Sequence, residues 1–174
     1  MLGHSLIDKA KNGNQKAYKE LFEQNVTMLY RYLRQFTNDR DQVEDWVQRA
    51  FIKAFNSLNT FRGSSSFKTW LFRIGINEMR SDLRLLPNKN KKEFDDEFQI
   101  EIQDDNENFE WQDEMKWLIS DLEEIKKSVF ILYEVEGYKH FEIAEMLNIS
   151  ESFSKTSLHR AKKILQEKLV ESRR

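Results

Sequence analysis

The chain has 174 residues, 39% of them hydrophobic and 13% aromatic, which is enough to pack one domain or two small ones. One proline and five glycines point to long helices rather than a turn-rich β fold. Zero cysteines exclude disulfides and thiolate zinc sites, and no apolar run reaches the length of a bilayer span, so the expectation is a soluble, cytoplasmic protein.

His4, His140 and His159 are too scattered to suggest a metal site, and neither a metal nor a cofactor is expected. The net charge of -2 hides an asymmetry along the chain. Residues 1–87 carry 14 basic and 9 acidic residues, a balance of +5. Residues 88–114 carry 3 and 11, or -8, and residues 115–174 carry 11 and 10, or +1.

In chain order, Leu6, Ile7 and Ala10 suggest a short helix, broken at Asn12-Gly13-Asn14. Tyr18, Leu21, Phe22, Val26, Leu29, Tyr30, Leu33 and Phe36 follow helical spacing and predict one or two further helices. The clearest periodicity spans 41–58, where Val43, Trp46, Val47, Ala50, Phe51, Ala54, Phe55 and Leu58 form one apolar face. Asp41 with Glu44 three residues later resembles a capping box that would start this helix.

Next comes FRGSSSFKTW, residues 61–70, with three hydroxyls and a glycine set between rings and cations. Phe61 and Phe67 are expected to anchor its ends in a core. A helix is predicted from Ser66 as N-cap to a point before Pro87. Phe67, Trp70, Leu71 and Ile74 form one stripe, and Phe72, Ile76, Met79 and Leu83 a second, which suits a helix sandwiched in a core. Its polar remainder, Lys68, Arg73, Asn77, Arg80 and Arg84, makes with Arg62 a basic surface beside the loop. Rings, hydroxyls and cations together suit single-stranded nucleic acid. A plain surface turn fits the same residues.

The acidic stretch 88–114 follows the proline, has weak periodicity and predicts a linker between two helical units. After it, Leu122, Ile125, Val129, Leu132 and Tyr133 predict a helix ended by Gly137. Phe141, Ala144 and Leu147 are expected to line a short helix. Asn148 sits where a helix-turn-helix needs a left-handed residue, Ile149 plugs the turn, and Ser150 caps the next helix. Leu158, Ala161, Leu165 and Leu169 are its expected buried stripe, leaving Lys155, His159, Arg160, Lys162 and Lys163 exposed. Such a helix pair suits the major groove of DNA, and an ordinary hairpin with a cationic face fits it too. The expected fold is therefore all-α: two small helical domains, 1–87 and 115–174, joined by the linker 88–114, the second domain a helix-turn-helix.

Taken in order, DQVEDWVQRAFIKAF, FRGSSSFKTWLFRIGINEMRSDLR and LEEIKKSVFILYEVEGYKHFEIAEMLNIS…KTSLHRAK resemble the sigma factors of bacterial RNA polymerase. The short two-domain form resembles the extracytoplasmic-function (ECF) group. The resemblance implies promoter-specific initiation with no catalytic residue, because polymerase supplies the chemistry. It implies a first domain that binds core polymerase and melts the −10 element, and a second that reads the −35 element. Gly63 to Phe67 match the loop that captures a flipped non-template base, and Asn77 matches an asparagine that contacts the −10 element. The implied −10 contacts are Arg62, Gly63, Ser64, Ser65, Ser66, Lys68, Arg73, Asn77 and Arg80. Glu44, Asp45 and Gln48 match the surface that grips the β′ clamp helices. The implied −35 contacts are Ser152, Ser154, Lys155, His159, Arg160 and Lys163. Implied partners are core polymerase through β′ and β, promoter DNA, and an anti-sigma factor, with no membrane insertion.

The chain departs from the family pattern at Arg49, where an acid is usual, and at Ser152, Phe153, Ser154 and Ser157, where glycine, threonine, valine and arginine are usual. A stand-alone DNA-binding regulator would account for the second domain but leaves EDWVQ and FRGSSSF unused. An enzyme has no support in the sequence, which holds no phosphate loop and no His–acid constellation.

Overall fold

The computed structural model describes residues 2–85 and 113–173, so the acidic stretch expected at 88–114 lies outside them apart from its last two residues. The described residues belong to two compact units and hold no strand.

The first unit contains α1 (Leu2–Lys11), α2 (Gln15–Leu33), α3 (Arg40–Asn56) and α4 (Phe67–Leu85). Gly13 turns the chain between α1 and α2 at φ 79°, and the Asn14 side chain accepts from the Ala17 amide at 3.1 Å to cap α2. The periodic run from Tyr18 to Leu33 is a single helix, and Phe36 lies beyond its end. The cap of α3 is Asp39 rather than Asp41: its carboxylate accepts from the Gln42 amide at 3.2 Å. The Asp39 amide in turn donates to the Thr37 hydroxyl at 3.1 Å, which brings the chain into helix two residues early. Asp41 then lies in the first turn, where the helix dipole favours a carboxylate. Ser66 caps α4 as expected, accepting from the Thr69 amide at 3.0 Å, and the expected end before Pro87 lies outside the described residues.

Helix α4 packs against both α2 and α3, which explains its two apolar stripes. Leu29, Tyr32, Trp46, Phe51, Leu71, Phe72, Ile76 and Met79 are fully buried at this junction. A Cβ added to Gly75 would lie 2.8 Å from Leu29 Cδ1, so the glycine permits close approach of α2 and α4.

The second unit contains α5 (Asp113–Ile119), α6 (Glu124–Phe130), a π-helical turn Ile131–Val135, α7 (His140–Leu147) and α8 (Glu151–Ser172). Helix α5, which the periodicity did not single out, takes in the last two residues of the stretch assigned to the linker. Gly137 ends the π turn at φ 74°, with the Tyr138 amide reaching back to the Leu132 carbonyl at 2.9 Å. The buried stripe of α7 is Ile143, Met146 and Leu147, not Phe141, Ala144 and Leu147. The helix is rotated so that Ile143 faces the core, and Phe141 is left 57% exposed.

The turn between α7 and α8 follows expectation. Asn148 is left-handed at φ 54°, ψ 51°, and the Ser150 hydroxyl accepts from the Phe153 amide at 3.0 Å. A left-handed alanine costs about 1 kcal/mol or more, whereas glycine adopts that conformation freely. Asn148→Ala should therefore lower the stability of this unit by about 1 kcal/mol, and Asn148→Gly should match or exceed the natural residue. Thermal unfolding of the full chain checks this, and equal melting temperatures for the two variants would contradict it.

Candidate nucleic-acid interface

The loop between α3 and α4 is pinned at both ends. Phe61 and Phe67 are buried, their rings 6.2 Å apart edge-on, with Trp70 5.2 Å from Phe61. Between them Arg62, Gly63 and Ser64 are exposed, and Gly63 takes φ 73°. A distant residue also holds the loop: Lys11 Nζ on α1 donates to the Phe61 carbonyl at 2.8 Å. Sequence reading missed it because the two residues lie 50 apart with no pattern linking them. The Ser66 hydroxyl is engaged by the Thr69 amide and hydroxyl, at 3.0 and 2.9 Å, while Ser64 is exposed and Ser65 half-buried.

On α4, Arg73, Asn77, Arg80 and Arg84 recur at steps of four and three and so share one ridge. Arg73, Asn77 and Arg84 are exposed, and Arg80 is half-buried. Lys68 does not share that ridge. Five residues before Arg73, it falls on the far side of the helix and is half-buried.

Helix α3 presents Glu44, Asp45 and Gln48, all half-exposed, away from the core stripe. Ile52, seven residues after Asp45, continues the Asp45–Gln48 ridge and is 43% exposed. Its signal in the sequence was that it is the apolar residue out of phase with the buried face of 41–58.

Behind this ridge lies an ionic network that no periodicity announces. Arg49 pairs with Asp45 at 2.9 Å and with Glu78 at 3.4 Å, and also with Asp82. Trp46 Nε1 donates to Asp82 at 2.9 Å, and Lys53 pairs with Glu78. Glu78 and Asp82 are both buried. Burial works against the Arg49 charge, but the hydrogen bond to Asp82 and the charges of Asp45, Asp82 and Glu78 outweigh it and raise the guanidinium above its ordinary value. Arg49 thus faces inward, tying α3 to α4.

In the second unit Ser152, Lys155, His159, Arg160 and Lys163 lie exposed on α8, and Lys155 is paired with Glu151 at 2.7 Å. Ser154 is placed differently from expectation: it is fully buried, and its hydroxyl lies 2.9 Å from His140 Nδ1. Ser157 is buried as well. His140 stacks on Tyr133 of the π turn with centroids 4.5 Å apart. Burial, and then the charge of Lys155, hold the His140 imidazole below its ordinary value, with Glu151 opposing. The hydrogen bond between His140 and Ser154 latches α7 to α8.

Each unit matches a described protein family. The Sigma-70 region 2 model matches residues 21–86, and the Sigma-70 region 4 model matches residues 114–165. The chain is 28% identical to the ECF RNA polymerase sigma-E factor of Haemophilus influenzae over 95% of this chain and 94% of that protein. The chain belongs to the ECF group of RNA polymerase sigma factors.

The sigma-E factor of Escherichia coli is 27% identical over 94% of this chain and 92% of its own, and SigX of Bacillus subtilis 29% over 87% and 83%. Among solved structures, CnrH in complex with the cytosolic domain of CnrY shares the fold with a TM-score of 0.72 and 24% identity, over 96% of both chains. The sigma factor RpoE in complex with the anti-sigma factor NepR from Bartonella quintana gives 0.67 and 22%, over 88% of this chain and 97% of that one. As a sigma factor the chain directs transcription initiation and is a DNA-binding transcription regulator. Among the described residues no helix is long and apolar enough to cross a membrane, and no cluster of His or carboxylates could hold a metal ion.

Removing Arg49 would leave buried carboxylates without their main counter-charge. Breaking such a pair costs about 3 kcal/mol or more. Arg49→Met should therefore lower the urea midpoint of the first unit by a corresponding amount. Adding Asp82→Asn, which keeps an acceptor for Trp46, should recover part of the loss. A single variant within about 0.5 kcal/mol of the natural chain would show the network to be unimportant.

Proposed function

We propose that this sigma factor reads −35 duplex DNA with α8 and captures melted −10 non-template bases with the loop 62–66. The single observation that supports the capture step most is the form of that loop. Two buried rings anchor it, a left-handed glycine turns it, and exposed polar groups remain at its tip beside the basic ridge of α4. Extruding a base from its stack costs a few kcal/mol, and a rigid polar cradle offsets this by bonding the base edge. Arg62 lies on one side of the tip to meet a neighbouring phosphate. Asn77, on the ridge with Arg73 and Arg80, contacts an adjacent −10 base.

Core polymerase binds the α3 ridge of Glu44, Asp45, Gln48 and Ile52 through the β′ clamp helices, with the β subunit as a further contact. Arg49 acts from behind by holding Asp45. On the second unit Ser152, His159, Arg160 and Lys163 face the −35 DNA, with Arg160 and Lys163 suited to phosphates. The domain division at 1–87 and 115–174, action in the cytoplasm, and control by an anti-sigma factor belong to the same reading. Their support is the ECF group itself.

The test uses Ser64→Ala with Ser65→Ala, leaving Ser66 because its hydroxyl caps α4. Two lost hydrogen bonds at about 1 kcal/mol each should lower open-complex occupancy on a duplex promoter by roughly thirtyfold. Affinity for core polymerase should not change. A promoter with a pre-melted −10 bubble should be rescued in part, since it removes the melting cost but not the lost contacts. Permanganate footprinting measures both, and normal thymine reactivity on the duplex promoter would refute the capture role.

A further inference from the structure

A helix lying in the major groove reaches base edges mainly with its first turns. In α8 the buried side is set by Ser154, Ser157, Leu158, Ala161 and Leu165. At 100° per residue the opposite ridge is Ser152, Thr156, His159 and Lys163, flanked by Phe153 and Arg160 on one side and by Lys155 on the other. Of the exposed residues in the first two turns, Glu151, Ser152, Phe153, Lys155 and Thr156, only Phe153 is apolar, and Thr156 adds a methyl group. The one cation among residues 151–157, Lys155, is ion-paired with Glu151 at 2.7 Å. The Thr156 hydroxyl donates back to the Ser152 carbonyl at 3.0 Å, which leaves its methyl group. Phe153 is 45% exposed, whereas Leu158, Ala161 and Leu165 of the same helix are buried.

Major-groove chemistry separates the bases by what such a surface can touch. Guanine is read by a free Arg or Lys fork, adenine by an amide, and thymine by apolar contact with its C5-methyl group. The first turns of α8 hold no side-chain amide and no unpaired cation, but they do hold an exposed phenyl ring. We propose that Phe153 is a specificity-determining residue that reads the C5-methyl of a thymine in the −35 element, with the Thr156 methyl bordering the same contact. Arg160, seven residues on and on the same flank, meets the adjoining phosphate and sets the ring against the base edge. This rests on α8 being the −35 reader.

The test uses holoenzyme assembled from the full chain and core RNA polymerase. The probe is a promoter that this holoenzyme enriches from a library randomised over the −35 region. Each −35 thymine is replaced in turn by deoxyuridine, which removes only the methyl group. One position should lose about fourfold in affinity with the natural chain, the scale of one buried methyl. Phe153→Ala should bind thymine and deoxyuridine equally at that position, and Phe153→Leu should keep part of the difference. An enriched element without thymine, insensitivity at every thymine, or a methyl preference that survives in Phe153→Ala would each overturn the assignment. Scrambling the whole −35 element distinguishes the two levels: no effect of scrambling sinks the −35 role of α8 itself, whereas sensitivity to scrambling without sensitivity to the methyl sinks Phe153 alone.

Discussion

The contact on which the first unit most depends is the guanidinium of Arg49 set against the buried carboxylates of Asp82 and Glu78. Helix α3 carries the ridge of Asp45, Gln48 and Ile52 proposed to meet polymerase, and α4 carries the basic ridge and the end of the loop. The two helices are held at one register by apolar packing, which is tolerant of sliding, and by this ionic pair, which is not. Trp46 adds to the specification by donating to Asp82 from within the core. Buried ion pairs add little net stability over apolar substitutes, but a half-broken one is costly. Wrong registers of α3 on α4 are therefore penalised, and the two surfaces keep a fixed geometry.

The same logic runs through the second unit with hydrogen bonds in place of charges. Asn148 takes the left-handed conformation that reverses the chain, and Ser150 supplies the cap that starts α8. His140 and Ser154 then join α7 to α8 across the turn. The family pattern places valine at the position of Ser154, so an apolar contact has become a polar one that needs its histidine partner. The cost of burying a hydroxyl is met by that hydrogen bond. It also removes Ser154 from the surface and leaves the exposed side of the first turns of α8 to Ser152, Phe153, Thr156 and His159.

Much of this was legible in the residues alone. The face from Val43 to Leu58, the two stripes of α4, the Ser66 and Ser150 caps and the Asn148 turn follow from local rules, because spacing and capping are properties of adjacent residues. Errors came where two local signals competed or where a helix could rotate. Asp39 displaced Asp41 as the cap because Thr37 offered the preceding turn a partner. Helix α7 has apolar residues on more than one side, so its short span left the phase open, and only packing against α8 exposed Phe141 and buried Ile143.

The sequence by itself determined the helical class, the order of the elements, the charge asymmetry and the family resemblance, since each depends on composition or on spacing within one segment. The tertiary structure decided which polar groups are already engaged. Arg49 on Asp82, Lys11 on the Phe61 carbonyl, Trp46 on Asp82 and His140 beside Ser154 join residues 14 to 50 apart. Nothing in a linear pattern encodes such pairings, because a cation or hydroxyl looks the same in sequence whether it faces water, DNA or a buried partner. The partner is fixed only when packing of the apolar faces brings distant helices to one distance and one rotation.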